Sequence, residues 1–213
     1  MDYQLFINRL KKNSSENLPG WNAHVHMAPP YRKNLTYEEV STYKPKIASV
    51  LILVQEKNGE ICFPVTVRNS YEGVHSDQVS LPGGKYEESD KQKEFTAKRE
   101  TAEEIGIPVD KIHIISPLSQ LYIPPSNFLV SPFLGYLDKP IDYVKDEVEV
   151  NKIVDINIYD LISDEHKTEK TMDLYGMELA VPIFSINNIV IWGATAMILS
   201  EFKVLIKKTL NLS

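Results

Sequence analysis

The chain has 213 residues, 43% hydrophobic and 24% charged, with a formal net charge of -6. That length and apolar content suit one folded unit with a sizeable core, and the acidic balance excludes broad basic attraction to nucleic acid. A single cysteine, Cys62, excludes an internal disulfide framework and a multi-cysteine zinc site.

Residues 3–11 read as a short amphipathic helix with Leu5, Phe6 and Leu10 on one side. No long apolar run of a secretory leader is present there, and "IVIWGATAMIL" near the other end is well short of the ~20 residues a membrane span needs. A cytoplasmic protein with no membrane partner is therefore expected. From Asn13 to about Lys44 the chain is polar and carries prolines, with Trp21, Tyr31, Tyr37 and Tyr43 interspersed. These aromatics suit an extended arm packed on a domain better than a free tether. Residues 1–45 are thus expected to form an N-terminal helix and arm, and 46–213 the main domain.

Two β-rich runs, "IASVLILVQ" and "ICFPVTVR", flank Asn58-Gly59, a strong hairpin signal. In the second run Cys62 reads as a small core hydrophobe. "QVSLPGG" reads as a third short strand ending in a turn. A helix is predicted over roughly 91–105, with capping-box spacing at Ser89 and Gln92 and a stop at Gly106 and Pro108. "KIHIISPL", "QLYI" and "FLVSPFLGYL" read as strands, and "DINIYDLI" as a strand entering a short helix. "TMDLYGMELAVPIF" reads as a hairpin around Tyr175-Gly176, and residues 191–210 as a helix with an apolar face. Strands on both sides of one central helix, then a terminal helix, predict an α+β or layered α/β/α domain.

The central helix carries "KRETAEEIG". At about 100° per residue, Glu100, Glu103 and Glu104 fall within an arc of roughly 100°. Phe95, Ala102 and Ile105 are predicted to face the core from the other side. Like charges at Glu100 and Glu104, four residues apart and near a helix C-terminus, weaken the helix by a few tenths of a kcal/mol. A solvated face is the ordinary explanation of such a run. A divalent cation reverses the sign of the problem, since Mg²⁺ takes carboxylate oxygens and is often completed by substrate phosphates. Gly83-Gly84, just before the helix, permits close approach of backbone to a ligand.

Taken together, "GGKYEESDKQKEFTAKRETAEEIGI" resembles the signature of the Nudix hydrolases, G-x5-E-x7-R-E-x-x-E-E-x-G followed by an aliphatic residue. Gly84, Arg99, Glu100, Glu103, Glu104, Gly106 and Ile107 match by type. Asp90 stands where the first Glu belongs, with eight residues before Arg99, as is common in the branch that cleaves coenzyme A. Upstream, "PVTVRNSYEGVHSDQVSLPGG" is similar to that branch's "LLTxRSxxxRxxxGxxxFPGG" at Thr66, Arg68, Pro82, Gly83 and Gly84. Leu81, Asn69, Gly73 and Asp77 depart from it, and His75 and Gln78 keep the look of its "HxGQ". "WGATAMIL" (Trp192 to Leu199) resembles the branch's "WGxTA" helix start.

The resemblance implies a Nudix-type α/β/α sandwich with a mixed β-sheet and a C-terminal helix. It also implies Mg²⁺- or Mn²⁺-dependent hydrolysis of a nucleoside diphosphate linked to another group, a small-molecule substrate, and a homodimer as the candidate assembly. Coenzyme A is the expected substrate, giving 3′,5′-ADP and 4′-phosphopantetheine. ADP-ribose or a dinucleotide is the first alternative, and a non-catalytic nucleotide-binding module the second. Under this reading Glu100 and Glu104 are direct metal ligands. Glu103 binds a second metal or orients water, and a carbonyl of Gly83 or Gly84 completes the site. Arg99 holds a glutamate in place. Arg68 and Lys85 contact phosphates, and Glu147 in "KDEVEV" is the candidate general base.

Overall fold

The structure is a computed structural model, and it describes residues 2–15, 17–69, 78–174 and 176–212. Helix α1 spans Tyr3–Ser14, α2 Trp21–His24 and α3 Tyr37–Thr42. Strands β1 (Lys46–Lys57) and β2 (Glu60–Arg68) form the predicted hairpin, whose turn residues Asn58 and Gly59 have φ of 52° and 80°. Both angles are positive, the conformation that Asn-Gly adopts readily. Next come β3 (Val79–Ser80), β4 (Gly83–Lys85) and α4 (Lys93–Ile105). They are followed by β5 (His113–Pro117), β6 (Leu121–Ile123), β7 (Phe128–Tyr136), β8 (Val150–Asn157) and α5 (Ile158–Ile162). The last elements are β9 (Lys167–Leu174), β10 (Met177–Ile186), β11 (Ile189–Ile191) and α6 (Gly193–Leu210).

Strands β1 to β8 make one mixed sheet and β9 to β11 a second, antiparallel one. At the centre β1 runs parallel to β7, from Lys46 opposite Phe128 to Val54 opposite Tyr136. Leu51 to Val54 are fully buried, so both sheet faces are covered, which explains the unbroken apolar run. On one face α4 packs Ala97 and Ile105 against Leu51, Leu53 and Phe133. The opposite face carries the larger core, in which α1 (Tyr3, Phe6, Ile7, Leu10) and α6 (Phe202, Leu205, Ile206) meet Ile52, Phe63 and Val65. The architecture is thus the expected mixed sheet between helical layers, ending in a C-terminal helix. None of the described helices is long and apolar enough to cross a membrane.

Several local expectations are corrected. The third strand divides in two: β3 pairs with β2 and β4 with β1. Helix α4 begins at Lys93, and its N-cap Gln92 makes no side-chain cap; the capping box is Glu87 with Asp90, one turn earlier. Phe95 is 43% exposed, and Thr96, Ala97 and Thr101 turn inward in its place. These small side chains let the helix lie close to the sheet, a gain that apolar periodicity underweights. Leu5 is likewise 45% exposed, and the inner face of α1 is set by Tyr3 and Ile7 beside Phe6 and Leu10. The arm is partly helical. It is fastened through Glu201 of α6, which accepts from Gly20 N (3.1 Å), Ser119 N (3.1 Å) and Ser119 Oγ (2.6 Å) and lies 3.3 Å from His24 Nε2. Burial alone would raise the Glu201 pKa, but these partners bring it below its ordinary value. Cys62 is buried, and burial pushes its thiol up to about 12, as suits a core residue. Gly73, His75, Asp77 and the hairpin residue Tyr175 lie outside the described residues.

Candidate active site

Strand β4 and helix α4 bring the predicted residues together. Gly83 has φ of 152°, and a Cβ there would lie 2.3 Å from the Ser49 carbonyl oxygen, so only glycine fits. Its N–H donates to Glu104 Oε2 at 3.3 Å. At Gly84 a Cβ would lie 2.3 Å from Glu100 Oε2, so the Glu100 carboxylate occupies the space a side chain would take. The Gly-Gly pair therefore does two things: it lets β4 close onto β1, and it seats two carboxylates of α4 against backbone.

The three acids are not equivalent. Glu104 is only 4% exposed, and burial pushes its pKa up to about 8. The Gly83 N–H and the charge of Arg68 pull it down, while Glu100 and Glu149 push it further up. The Glu100 pKa is raised as well, first by burial, against the pull of Arg99 and with added repulsion from Glu103 and Glu149. Glu103 is the outermost of the three and sits 2.8 Å from Arg99 Nη1.

Arg99 organises this face. Its Nε donates to Asp90 Oδ1 at 2.8 Å and its Nη2 to Asp90 Oδ2 at 3.1 Å, a bidentate pair. Nη1 reaches Glu103 Oε2 (2.8 Å) and Glu100 Oε1 (2.9 Å), and Nη2 the Lys85 carbonyl (3.3 Å). The hydrogen bonds from Arg99 hold the buried Asp90 carboxyl well below the usual carboxylate range. The acid standing in place of the first Glu is thus the anchor of the arginine, which in turn braces Glu100 and Glu103.

The segment 138–149 closes the other side. Val144 N and Asp146 N donate to the Ile105 and Glu104 carbonyls (3.0 Å each), satisfying the end of α4. Gly106 (φ 73°) permits that approach, since a Cβ would meet the Val144 oxygen at 2.7 Å. Glu147 points away: it is 78% exposed and paired with Lys145 at 2.8 Å. Glu149 is the acid whose charge acts on both Glu100 and Glu104. It immediately precedes buried Val150, which pairs with Arg68 in the sheet. In "KDEVEV" the two Glu-Val pairs look alike; the burial of Val150 against the exposure of Val148 tells them apart. Arg68 and Lys85 are both exposed at the rim of this cluster.

The donors are carboxylate and carbonyl oxygens, the chemistry of a hard divalent cation. A buried glutamate with a raised pKa, repelled by two further acids, is a donor set that such a cation fits. Among the described residues no three His, Cys, Asp or Glu side chains already surround one point, and Glu103 is paired with Arg99.

The chain is similar to proteins of one known family. The family model described as the NUDIX domain matches residues 45–161. "Nudix hydrolase 22, chloroplastic" of Arabidopsis thaliana is 34% identical over 164 residues, 74% of this chain and 54% of that protein. The chain thus spans about half the length of that relative. "Uncharacterized Nudix hydrolase NudL" of Yersinia pestis (strain Pestoides F) is 28% identical over 170 residues, covering 78% of this chain and 82% of that one. Among solved structures, a C. elegans Ap4A hydrolase binary complex aligns with a TM-score of 0.45 at 20% identity, over 55% of this chain and 83% of that one.

Proposed function

The chain belongs to the Nudix family, and on that premise we propose that it is a metal-dependent pyrophosphatase acting on a nucleoside diphosphate linked to a second group. One observation carries this reading. Glu104, buried against Gly83, and Glu100, half-buried against Gly84, both have raised pKa values. Folding gains nothing from that arrangement, and a cation repays it. Glu100 and Glu104 would hold Mg²⁺ or Mn²⁺, with Glu103 as the third acid available on the same face. The bound ion supplies neutralisation of the diphosphate oxygens and acidification of water. Arg99, locked on Asp90, sets the orientation of Glu100. Arg68 and Lys85 receive phosphate oxygens at the rim. The proton of the attacking water goes to Glu149 rather than Glu147, whose carboxylate faces Lys145.

Coenzyme A is the proposed substrate, on the strength of the sequence pattern around Arg68 and the Asp90 spacing. ADP-ribose and dinucleotides are the competing substrates of the same chemistry. Assay of coenzyme A, ADP-ribose and diadenosine diphosphates with Mg²⁺, Mn²⁺ or EDTA tests the reading. Metal-dependent release of 3′,5′-ADP from coenzyme A, faster than turnover of the others, is expected. Faster ADP-ribose hydrolysis reassigns the substrate. Nucleotide binding with no turnover of any member replaces the enzyme by a binding module.

A further inference from the structure

A second feature is built partly from the N-terminal arm, which precedes the residues 45–161 matched by the family model. Between the N-terminal arm and β6 is a cavity of about 200 Å³. Trp21, Tyr37 and Tyr122 supply aromatic walls, Arg32 and Lys33 two positive charges, and Gln120 a polar edge. The Arg32 guanidinium is fastened to β6 through the Tyr122 carbonyl, and Tyr122 is stacked on Tyr43 (centroids 5.6 Å apart). A guanidinium carries five N–H donors in a fixed planar fork, the geometry that matches phosphate oxygens. Adjacent cations set in an aromatic cleft are conspicuous on a chain of net charge -6. Their chemistry is that of a site for a flat ring bearing phosphate.

A row of residues across the sheet spans the distance from the acidic cluster to the cavity. A Cβ on Gly84 would point at Glu100, so Gly84 faces the α4 side of the sheet. Ser49 is its register partner on β1, and Ser131 is the register partner of Ser49 on β7; all three share that face. Gln120 Nε2 donates to Ser131 Oγ at 2.8 Å, and Gln120 lines the cavity. Gly84, Ser49, Ser131 and Gln120 thus lie in a row between Glu100 and the cavity. Two strand spacings of about 4.8 Å put Ser131 roughly 10 Å from Gly84, a distance one nucleotide covers. The volume is below the ~300–1,000 Å³ of pockets that enclose a whole ligand, so the cavity takes one end of a substrate.

We propose that this cavity is the subsite for a phosphorylated nucleoside end of the substrate, with Arg32 and Lys33 binding a ribose phosphate remote from the cleaved bond. The proposal rests on the diphosphate-hydrolase reading for its purpose but not for its test. Calorimetry on the full chain in EDTA compares adenosine 3′,5′-bisphosphate with AMP, and needs no turnover. The bisphosphate is expected to bind about tenfold tighter, the scale of one charge-assisted contact. Lys33→Ala and Arg32→Ala are each expected to remove that advantage, while Lys170→Ala, on β9, keeps it. Lys33 is exposed at the rim, so Lys33→Ala carries the test even where loss of the Arg32 bond to β6 loosens the arm. Equal affinity for the two nucleotides, or an advantage that survives both substitutions, overturns the subsite. A chain that shows the advantage yet hydrolyses no diphosphate keeps the subsite and loses the catalytic reading. One that hydrolyses diphosphates without the advantage does the reverse.

Discussion

Arg99 grips Asp90 through two parallel hydrogen bonds, Nε to Oδ1 at 2.8 Å and Nη2 to Oδ2 at 3.1 Å, and the carboxylate they hold is fully enclosed. Thr96 Oγ1 and Glu87 N complete its shell at 2.8 and 3.0 Å. The pair ties the turn before α4 to the helix itself, so the orientation of the acidic face depends on a residue that touches no substrate.

Asp90→Asn leaves Arg99 with a neutral partner in a buried setting. It is expected to cost about 3 kcal/mol at pH 7, the scale of a broken buried pair, read by urea denaturation. The folded pKa of Asp90 lies below its unfolded value of about 3.9. The stabilisation is therefore present above that value and lost as pH falls below about 4. The gap between wild type and variant should close over that fall; a constant gap from pH 7 to pH 2.5 counts against the pairing.

Gly84→Ala and Gly83→Ala separate catalysis from folding. The first pushes on a side chain, the Glu100 carboxylate, and the second on the Ser49 carbonyl in the sheet. Gly84→Ala should lower turnover on the order of 10²-fold, the effect of a misplacement near 1 Å, with a small change in melting temperature. Gly83→Ala should lower melting temperature markedly. Matching losses of stability in the two variants would contradict the geometry.

Glu104→Gln should reduce metal-dependent turnover by about 10²-fold or more and leave the fold intact. Its effect on the metal-free protein has the opposite sign. With a folded pKa near 8 and an unfolded value of about 4.3, wild type binds a proton that the unfolded chain lacks between those values. Stability then declines as pH rises from about 4.3 to 8 and levels off above. In EDTA the variant should melt increasingly above wild type from pH 5 to about pH 8, with little further change by pH 9. A flat difference refutes the buried, protonated state.

Glu149→Gln should lower kcat by about 10²-fold or more, as expected for loss of a general base, and flatten the acid limb of the pH–rate profile. Glu147→Gln, altering an exposed ion pair, should stay within about twofold. The reverse ranking returns the role to Glu147.

Sequence reasoning reached the features whose cause is local. Asn58-Gly59 prescribes its turn, Gly83-Gly84 its close approach, and the spacing of Glu100, Glu103 and Glu104 their shared side of α4. It missed what depends on tertiary contact. Helical phase put Phe95 in the core and the three acids together on the other face, whereas Thr96, Thr101 and Glu104 are buried and Phe95 is half-exposed. The proposal of Glu149 in place of Glu147 rests on the pairing of β8 with β2, which no nearby residue announces. The helices of the arm are too short to form alone, and α2 stands because Glu201, far along the chain, receives Gly20 N.

The partnership of α1 with α6 governs how the molecule is made. Tyr3, Phe6, Ile7 and Leu10 share a core with Phe202, Leu205 and Ile206, and Asn13 Nδ2 reaches Thr209 Oγ1 at 3.3 Å. During synthesis α1 emerges long before the helix that covers it. Its apolar stripe must wait, shielded by a chaperone or by transient collapse, until α6 arrives. Closure of this long loop is expected late in folding, and slowed translation ahead of Gly193 should lengthen the window for aggregation.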